Sequence, residues 1–301
     1  MLGGTRVRFH GVRGSTPCAG DRYERYGGNT SCVSIEVDGH APVILDMGTG
    51  LRPYGEQLVG FATSGPEGCA EPCDPFHGTV LLTHLHWDHI QGLPFFAPIG
   101  NPDATLDVYG PTQEEGPLAD VFTGVMRPPY FPIRPEQLQG TVRFLDAADD
   151  DFAVNGAKVR SRWVRHTSPT LGFRVDVEGV SVAYLSDHAT GCTDDPVDYV
   201  PPGVLELCDG ADLVIHDSQH TCEEYETKWF YGHCTVDYAV HVAREAGARR
   251  LMLFHHCPTH ADDDLDAILV QGRDLASRGA GGVDVMAASE GLCLELHQSA
   301  P

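Results

Sequence analysis

The run His84-Leu85-His86-Trp87-Asp88-His89 constrains this chain more than any other feature. It follows Thr79-Val80-Leu81-Leu82-Thr83, an apolar stretch bounded by Gly78 that reads as a buried strand. Four side chains able to ligate a metal therefore sit where a strand ends and the chain turns. A loop at that point is free of helical geometry, so neighbouring side chains are expected to serve two centres a few ångström apart. Neutral imidazoles with a carboxylate suit Zn²⁺, Mn²⁺ or Fe²⁺. The run is internal, follows a strand and contains an aspartate, which separates it from a surface histidine tract or a processing tag.

The pattern HxHxDH resembles the signature of the metallo-β-lactamase fold, and the resemblance covers most of the chain. Tyr26-Gly27-Gly28-Asn29-Thr30-Ser31, Leu45-Asp46-Met47-Gly48-Thr49-Gly50 and Gly92-Leu93-Pro94-Phe95-Phe96 fall in the family's order. The phosphodiesterase branch that includes tRNase Z and PhnP-like hydrolases is the most similar. The resemblance implies an α/β fold, an αββα four-layer sandwich. It implies one hydrolase domain over residues 1–301. The segment from Pro111 to Leu138 is too proline-rich for a long helix and too aromatic for a solvated linker, so it reads as a lid insertion.

The rest of the chain fits that architecture. Strands are expected at Val7–His10, Cys32–Val37 and Val43–Leu45, with a helix near Leu51–Val59. Further strands are expected at Val159–His166, Leu171–Val177, Val180–Ser186, Asp212–His216 and Arg250–His255. Helices are expected at Val236–Ala246, stopping at Gly247, and at Asp262–Arg278, stopping at Gly279. Strands interleaved with outer helices imply two sheets packed face to face.

The resemblance also assigns ligands. His84, His86 and His166 would hold a first cation, and Asp88, His89 and His255 a second, with Asp187 bridging the two. His166 and Asp187 each end an apolar strand, as the first motif does. At His255-His256 side chains alternate, so only one can point inward. The family pattern favours His255, with His256 the alternative. Asp217, in Ile215-His216-Asp217-Ser218-Gln219, and His233, in Gly232-His233-Cys234-Thr235, resemble the tRNase Z pair that protonates a leaving group. Cys234 stands where that motif has Ser, and Asp217 where Glu is usual. Asp88 is expected both to ligate and to orient the attacking water. Asp46 is expected to fix a ligand imidazole, and Asn29 and Thr30 to support the loops. Cys69, Cys73 and His77 offer three local ligands for a separate structural zinc, one fewer than such a site needs.

Charge bears on the substrate. Twenty basic residues stand against 43 acidic ones, a net charge of −23. Such a surface repels polyanions, whose phosphates supply most non-specific nucleic-acid affinity. A small phosphodiester, a cyclic nucleotide among the candidates, is therefore expected rather than bulk nucleic acid. The alternatives are an RNA 3′-processing endonuclease of tRNase Z type and a lactonase or β-lactamase type of hydrolase. Two divalent ions are expected, zinc first, with manganese or iron compatible. No apolar run approaches membrane-spanning length and no secretory signal is visible, so a cytoplasmic protein is expected. A homodimer is compatible with the sequence.

Overall fold

The computed structural model describes residues 4–60, 74–190, 199–278 and 282–298. In chain order the strands are β1 Thr5–Gly11, β2 Cys32–Glu36, β3 Val43–Leu45, β4 His77–Leu81, β5 Thr105–Pro111, β6 Thr141–Ala147 and β7 Asp151–Val154. They continue with β8 Ala157–Val164, β9 Thr170–Val177, β10 Val180–Leu185, β11 Leu213–Asp217, β12 Arg250–Phe254, β13 Asp284–Ala287 and β14 Cys293–Leu296. The helices are α1 Leu51–Leu58, α2 Trp87–Ile90, α3 Leu118–Val125, α4 Pro202–Cys208, α5 Cys222–Lys228, α6 Val236–Glu245 and α7 Asp262–Ser277.

Among the described residues the strands form two seven-stranded sheets, ordered β14-β1-β2-β3-β4-β5-β6 and β13-β12-β11-β10-β9-β8-β7. Alternation along each central strand explains the layering. In β12, Met252 and Phe254 face the other sheet, while Leu251 and Leu253 face outer helices. Val182, Tyr184 and Ile215 join Leu45, Leu81 and Phe173 between the sheets. Helices α4, α6 and α7 cover the second sheet through Val204, Val240 and Leu265. On the first, α1 and α3 pack Leu51 and Phe122 over Ile44, Val80 and Val108. The αββα sandwich is thus present. Strands β3, β4, β10, β11 and β12 take part in parallel pairs and are buried on both faces, which is why they read as largely apolar runs, whereas β5 alternates buried and half-buried positions.

The 111–138 segment packs against the outer face of the first sheet. Leu118 and Phe122 are buried there, and Phe131 meets Phe95 edge-on at 5.9 Å.

Candidate metal centre

The ligand candidates follow the carboxyl ends of β4, β8, β10 and β12, where ligands gather in open parallel sheets. One expectation of local geometry is corrected. Asp88 and His89 lie not on a loop but in the single turn of α2, after His86 in extended conformation at the cap. Successive helical residues diverge by about 100°. Asp88 and His89 therefore turn inward and are buried, while Trp87 between them and His86 points to solvent.

Two sets of donors result. His84, His86, His166 and Asp187 present atoms within 4.8 Å of one another, and so do Asp88, His89 and His255. His86 Nδ1 lies 3.2 Å from His166 Nε2. Asp187 spans the sets. Its Oδ2 is 3.7 Å from His84 Nε2 and 3.6 Å from His166 Nε2. Its Oδ1 is 3.1 Å from His89 Nε2 and 3.3 Å from His255 Nε2. Asp88 Oδ2 is 3.1 Å from each of those two imidazoles. His255, at a left-handed φ of 57°, turns into the cluster, whereas His256 Nε2 donates to the Ala288 carbonyl at 2.8 Å. A Cβ at Gly14 would lie 2.4 Å from His255 Nδ1, so that approach requires glycine.

The donor set fits divalent cations. His84 Nε2, His89 Nε2 and Asp187 Oδ1 are buried with no hydrogen-bond partner among the described residues. Orphaned lone pairs converging in this way are costly unless something positive joins them. Hydrogen bonds on the far ring atoms fix the tautomers. His89 Nδ1 donates to Asp46 Oδ2 at 2.7 Å, and His166 Nδ1 donates to the Gly232 carbonyl at 2.7 Å. Asp46, expected to serve this purpose, also accepts from Thr83 N–H at 2.8 Å and from the Tyr184 hydroxyl at 2.9 Å.

Electrostatics agree with a charged carboxylate core. Burial opposes ionisation of Asp187, but His255, His89 and His84 outweigh it and hold the carboxyl well below the usual range. Asp88 behaves likewise, with His89 and His255 overcoming burial. Burial and the neighbouring histidines push His84 well below the ordinary imidazole value, and His86 down to about 4. Both rings are therefore neutral and able to ligate.

His233 Nδ1 lies 2.8 Å from Asp217 Oδ2. Asp217 also accepts from the backbone N–H of Gln219 at 2.9 Å and of His188 at 3.1 Å. Burial disfavours a charged His233, but Asp217, Asp187 and Asp88 outweigh it and raise its pKa. His233 also stands within ligand reach of Asp187 and His255. A cavity of about 460 Å³ opens on the cluster, lined by Asp88, Asp187, His233 and His255 among others. No residue of 111–138 is among its lining residues.

Asn29 and Thr30 lie where supports are needed. Asn29 Nδ2 donates to Glu290 at 2.8 Å, and Thr30 and Thr49 exchange backbone-to-hydroxyl bonds of 2.8 Å. Of the separate zinc candidates, Cys69 and Cys73 lie outside the described residues, while His77 starts β4 and bonds Thr105. Sequence reasoning missed Ser15, whose N–H donates to Asp88 Oδ2 at 2.7 Å, and Gln219, 3.1 Å from His255 Nδ1. The signal available for Ser15 was the glycine-flanked Arg13-Gly14-Ser15 turn after β1.

Fold and site together define a metal-dependent hydrolase with an αββα sandwich. The chain belongs to the metallo-β-lactamase superfamily: the profile described as the Beta-lactamase superfamily domain matches residues 70–256. Ribonuclease Z of Synechococcus sp. (strain CC9605) is 30% identical over 234 residues, covering 60% of this chain and 70% of that one. The metallo-beta-lactamase fold protein YhfI from Bacillus subtilis superposes with a TM-score of 0.68 at 18% identity, covering 97% of this chain and 99% of that chain. A diphosphatase from the PhnP family gives 0.64 at 19% identity over 97% of each chain. At these identities the two structures bear on the fold alone. Among the described residues no helix is long and apolar enough to cross a membrane.

Proposed function

We propose that the protein is a phosphodiesterase acting on a small phosphodiester, cyclic nucleotides included. Two divalent cations per chain, zinc first among them, would be held by His84, His86, Asp88, His89, His166, Asp187 and His255. The observation that carries this reading is Asp187, with one oxygen facing each histidine set beside the buried Asp217–His233 pair. When bound, the cations supply an activated water and offset charge developing on phosphoryl oxygens. Asp88, fixed by the Ser15 N–H, orients the attacking water. Asp217 holds His233 through Nδ1, leaving Nε2 to deliver a proton to the departing oxygen. Asp46 keeps the His89 proton on Nδ1, so that Nε2 faces the cluster. We keep 111–138 as a lid insertion within one hydrolase domain, because Phe131 rests on Phe95 just beyond the ligand helix.

A lactonase or β-lactamase reading leaves Asp217 and His233 without a proton-transfer task. The ribonuclease Z relatives favour RNA 3′-end processing as the second reading. Against it stand the net charge of −23 and a cavity with no lysine or arginine among its lining residues. The test sets bis-p-nitrophenyl phosphate beside nitrocefin, a lactone and precursor tRNA at matched physiological salt. Turnover of the phosphodiester above the other three is expected. Efficient site-specific trimming of precursor tRNA would replace this reading with the second one.

A further inference from the structure

The mouth of the cavity is aromatic, and this is at odds with its charge. Trp87, Phe230 and Tyr231 line it and are 75%, 54% and 56% exposed. Large apolar side chains left in water beside a reactive centre mark a binding surface. They come from two elements that the cluster itself fixes in place. Trp87 opens α2 between His86 and Asp88. Phe230 and Tyr231 sit in the single turn Trp229–Tyr231 that runs into Gly232 and His233, with their rings 4.5 Å apart. Gly232 closes that turn at a left-handed φ of 82°, and its carbonyl accepts from His166 Nδ1. A Cβ there would lie 2.7 Å from the same nitrogen, so the aromatic turn is seated directly on a ligand candidate.

The remaining lining chemistry narrows the occupant. Apart from the cluster, the hydroxyls at the cavity wall are those of Ser15, Thr167 and Tyr231, and the lining residues include no lysine or arginine. A second phosphate would find no lysine or arginine at this wall, and would lie beside Asp88 and Asp187 on an acidic protein. A substituent of the reacting phosphate that extends toward the mouth is therefore best uncharged, and aromatic faces favour a flat one. We infer that Trp87, Phe230 and Tyr231 form a base-stacking subsite, selecting singly charged nucleoside phosphodiesters over alkyl ones. The inference rests on the phosphodiesterase reading and adds the substrate class to it. Every base has a π-face, so stacking without hydrogen-bond readout tolerates all four bases.

Two chromogenic esters that share a leaving group isolate the subsite: thymidine 5′-(p-nitrophenyl) phosphate and methyl p-nitrophenyl phosphate. The metal-loaded protein should prefer the thymidine ester in kcat/KM by about 5- to 150-fold, the span that stacking of one base covers. Trp87→Ala and Phe230→Ala should each erode that preference through KM, lowering kcat/KM for the thymidine ester at least about fivefold more than for the methyl ester. A binding arm runs beside turnover, with calorimetric titration of the phosphorothioate analogue of 3′,5′-cyclic AMP into wild type and Phe230→Ala. Cleavage of both esters at equal efficiency overturns the subsite while leaving the phosphodiesterase reading intact. If neither ester is cleaved but Phe230→Ala weakens analogue binding at least fivefold, the subsite stands and the phosphodiesterase reading falls. Variants that bind and select like wild type but lose self-association on size-exclusion chromatography assign the patch to a second copy of the chain and overturn the inference.

Discussion

Replacing His233 by alanine separates proton donation from cation binding. The ring is held by one strong contact, 2.8 Å from Nδ1 to Asp217 Oδ2, and lies 3.7 Å from Asp187 Oδ2. Asp217 keeps two backbone N–H donors after the ring is gone, so the variant leaves no bare carboxylate. The donors of both sets remain in place. Loss of a positioned general acid costs about 10²–10⁴ in rate, or roughly 2.7–5.5 kcal/mol of transition-state stabilisation. That loss should depend on the leaving group. An alkoxide needs its proton almost in full, whereas p-nitrophenolate leaves readily without one. The assay is therefore a series of phosphodiesters graded by leaving-group acidity. Plots of log kcat/KM should be nearly flat for the wild-type protein and steep for His233→Ala, converging at p-nitrophenolate. Elemental analysis of the same sample should return unchanged metal content. Parallel plots would refute proton donation by His233. A drop by one ion per chain would refute it differently, by making His233 a ligand of the Asp187 and His255 side of the cluster.

Other perturbations bear on separate links. Metal-supplemented wild type should carry two divalent ions per chain by elemental analysis, and His84→Ala should lose activity while keeping the wild-type circular dichroism spectrum. One ion or none in the wild type would defeat the dinuclear assignment. Asp46→Asn should weaken metal affinity by about 10- to 100-fold in chelator competition, because both Asp46 oxygens accept, from Thr83 on one side and from His89 and Tyr184 on the other, and Asn offers one uncharged acceptor. Burial and then Arg8 push His10 down to about 3. The folded state thus keeps His10 neutral while the unfolded chain takes a proton below about 6.5, so stability falls as pH drops through that value and continues to fall toward 3. Urea melts of chelator-treated protein should show a steeper loss than His10→Gln by up to about 1.4 kcal/mol per pH unit in that window, and equal slopes would refute the assignment.

The candidate ligand positions were legible because each follows an apolar strand, and buried parallel strands announce themselves as unbroken runs such as Val182–Leu185 and Leu251–Phe254. Edge strands were not. β13 and β14 are four residues each, and β6 alternates half-buried with exposed positions, so each is too short or too mixed to stand out. Helix α3 was hidden by its proline-rich sequel, although Leu118, Val121, Phe122 and Val125 keep helical spacing. The turn of α2 was misread as loop because four residues are too few for a period. The contacts that orient ligands were out of reach for another reason. Tyr184 is 138 residues from Asp46 and Gln219 is 36 from His255, and periodicity speaks only of faces within one element.

These long-range contacts matter because the centre is built on a seam. His84 to His89 follow the first sheet, whereas His166, Asp187 and His255 follow the second. Donor spacing is therefore set by how the sheets pack. Polar ties cross the same seam: Thr83 Oγ1 to Ser186 Oγ at 3.1 Å, Leu171 N–H to the Thr83 carbonyl at 2.9 Å, and Tyr184 to Asp46. Beneath them Leu45, Leu81, Phe173 and Phe254 form the apolar layer that fixes the distance. Metal sites tolerate displacements of only about 0.2 Å in ligand distance. Close packing transmits even a methylene's change of volume. A cavity opened in that layer thus acts on metal affinity as well as on folding, and does so without touching a ligand. Linkage runs the other way too. Cations that bind only the assembled donors stabilise the folded state by mass action. Their stabilisation acts specifically on the contact between the sheets, which neither sheet can make alone.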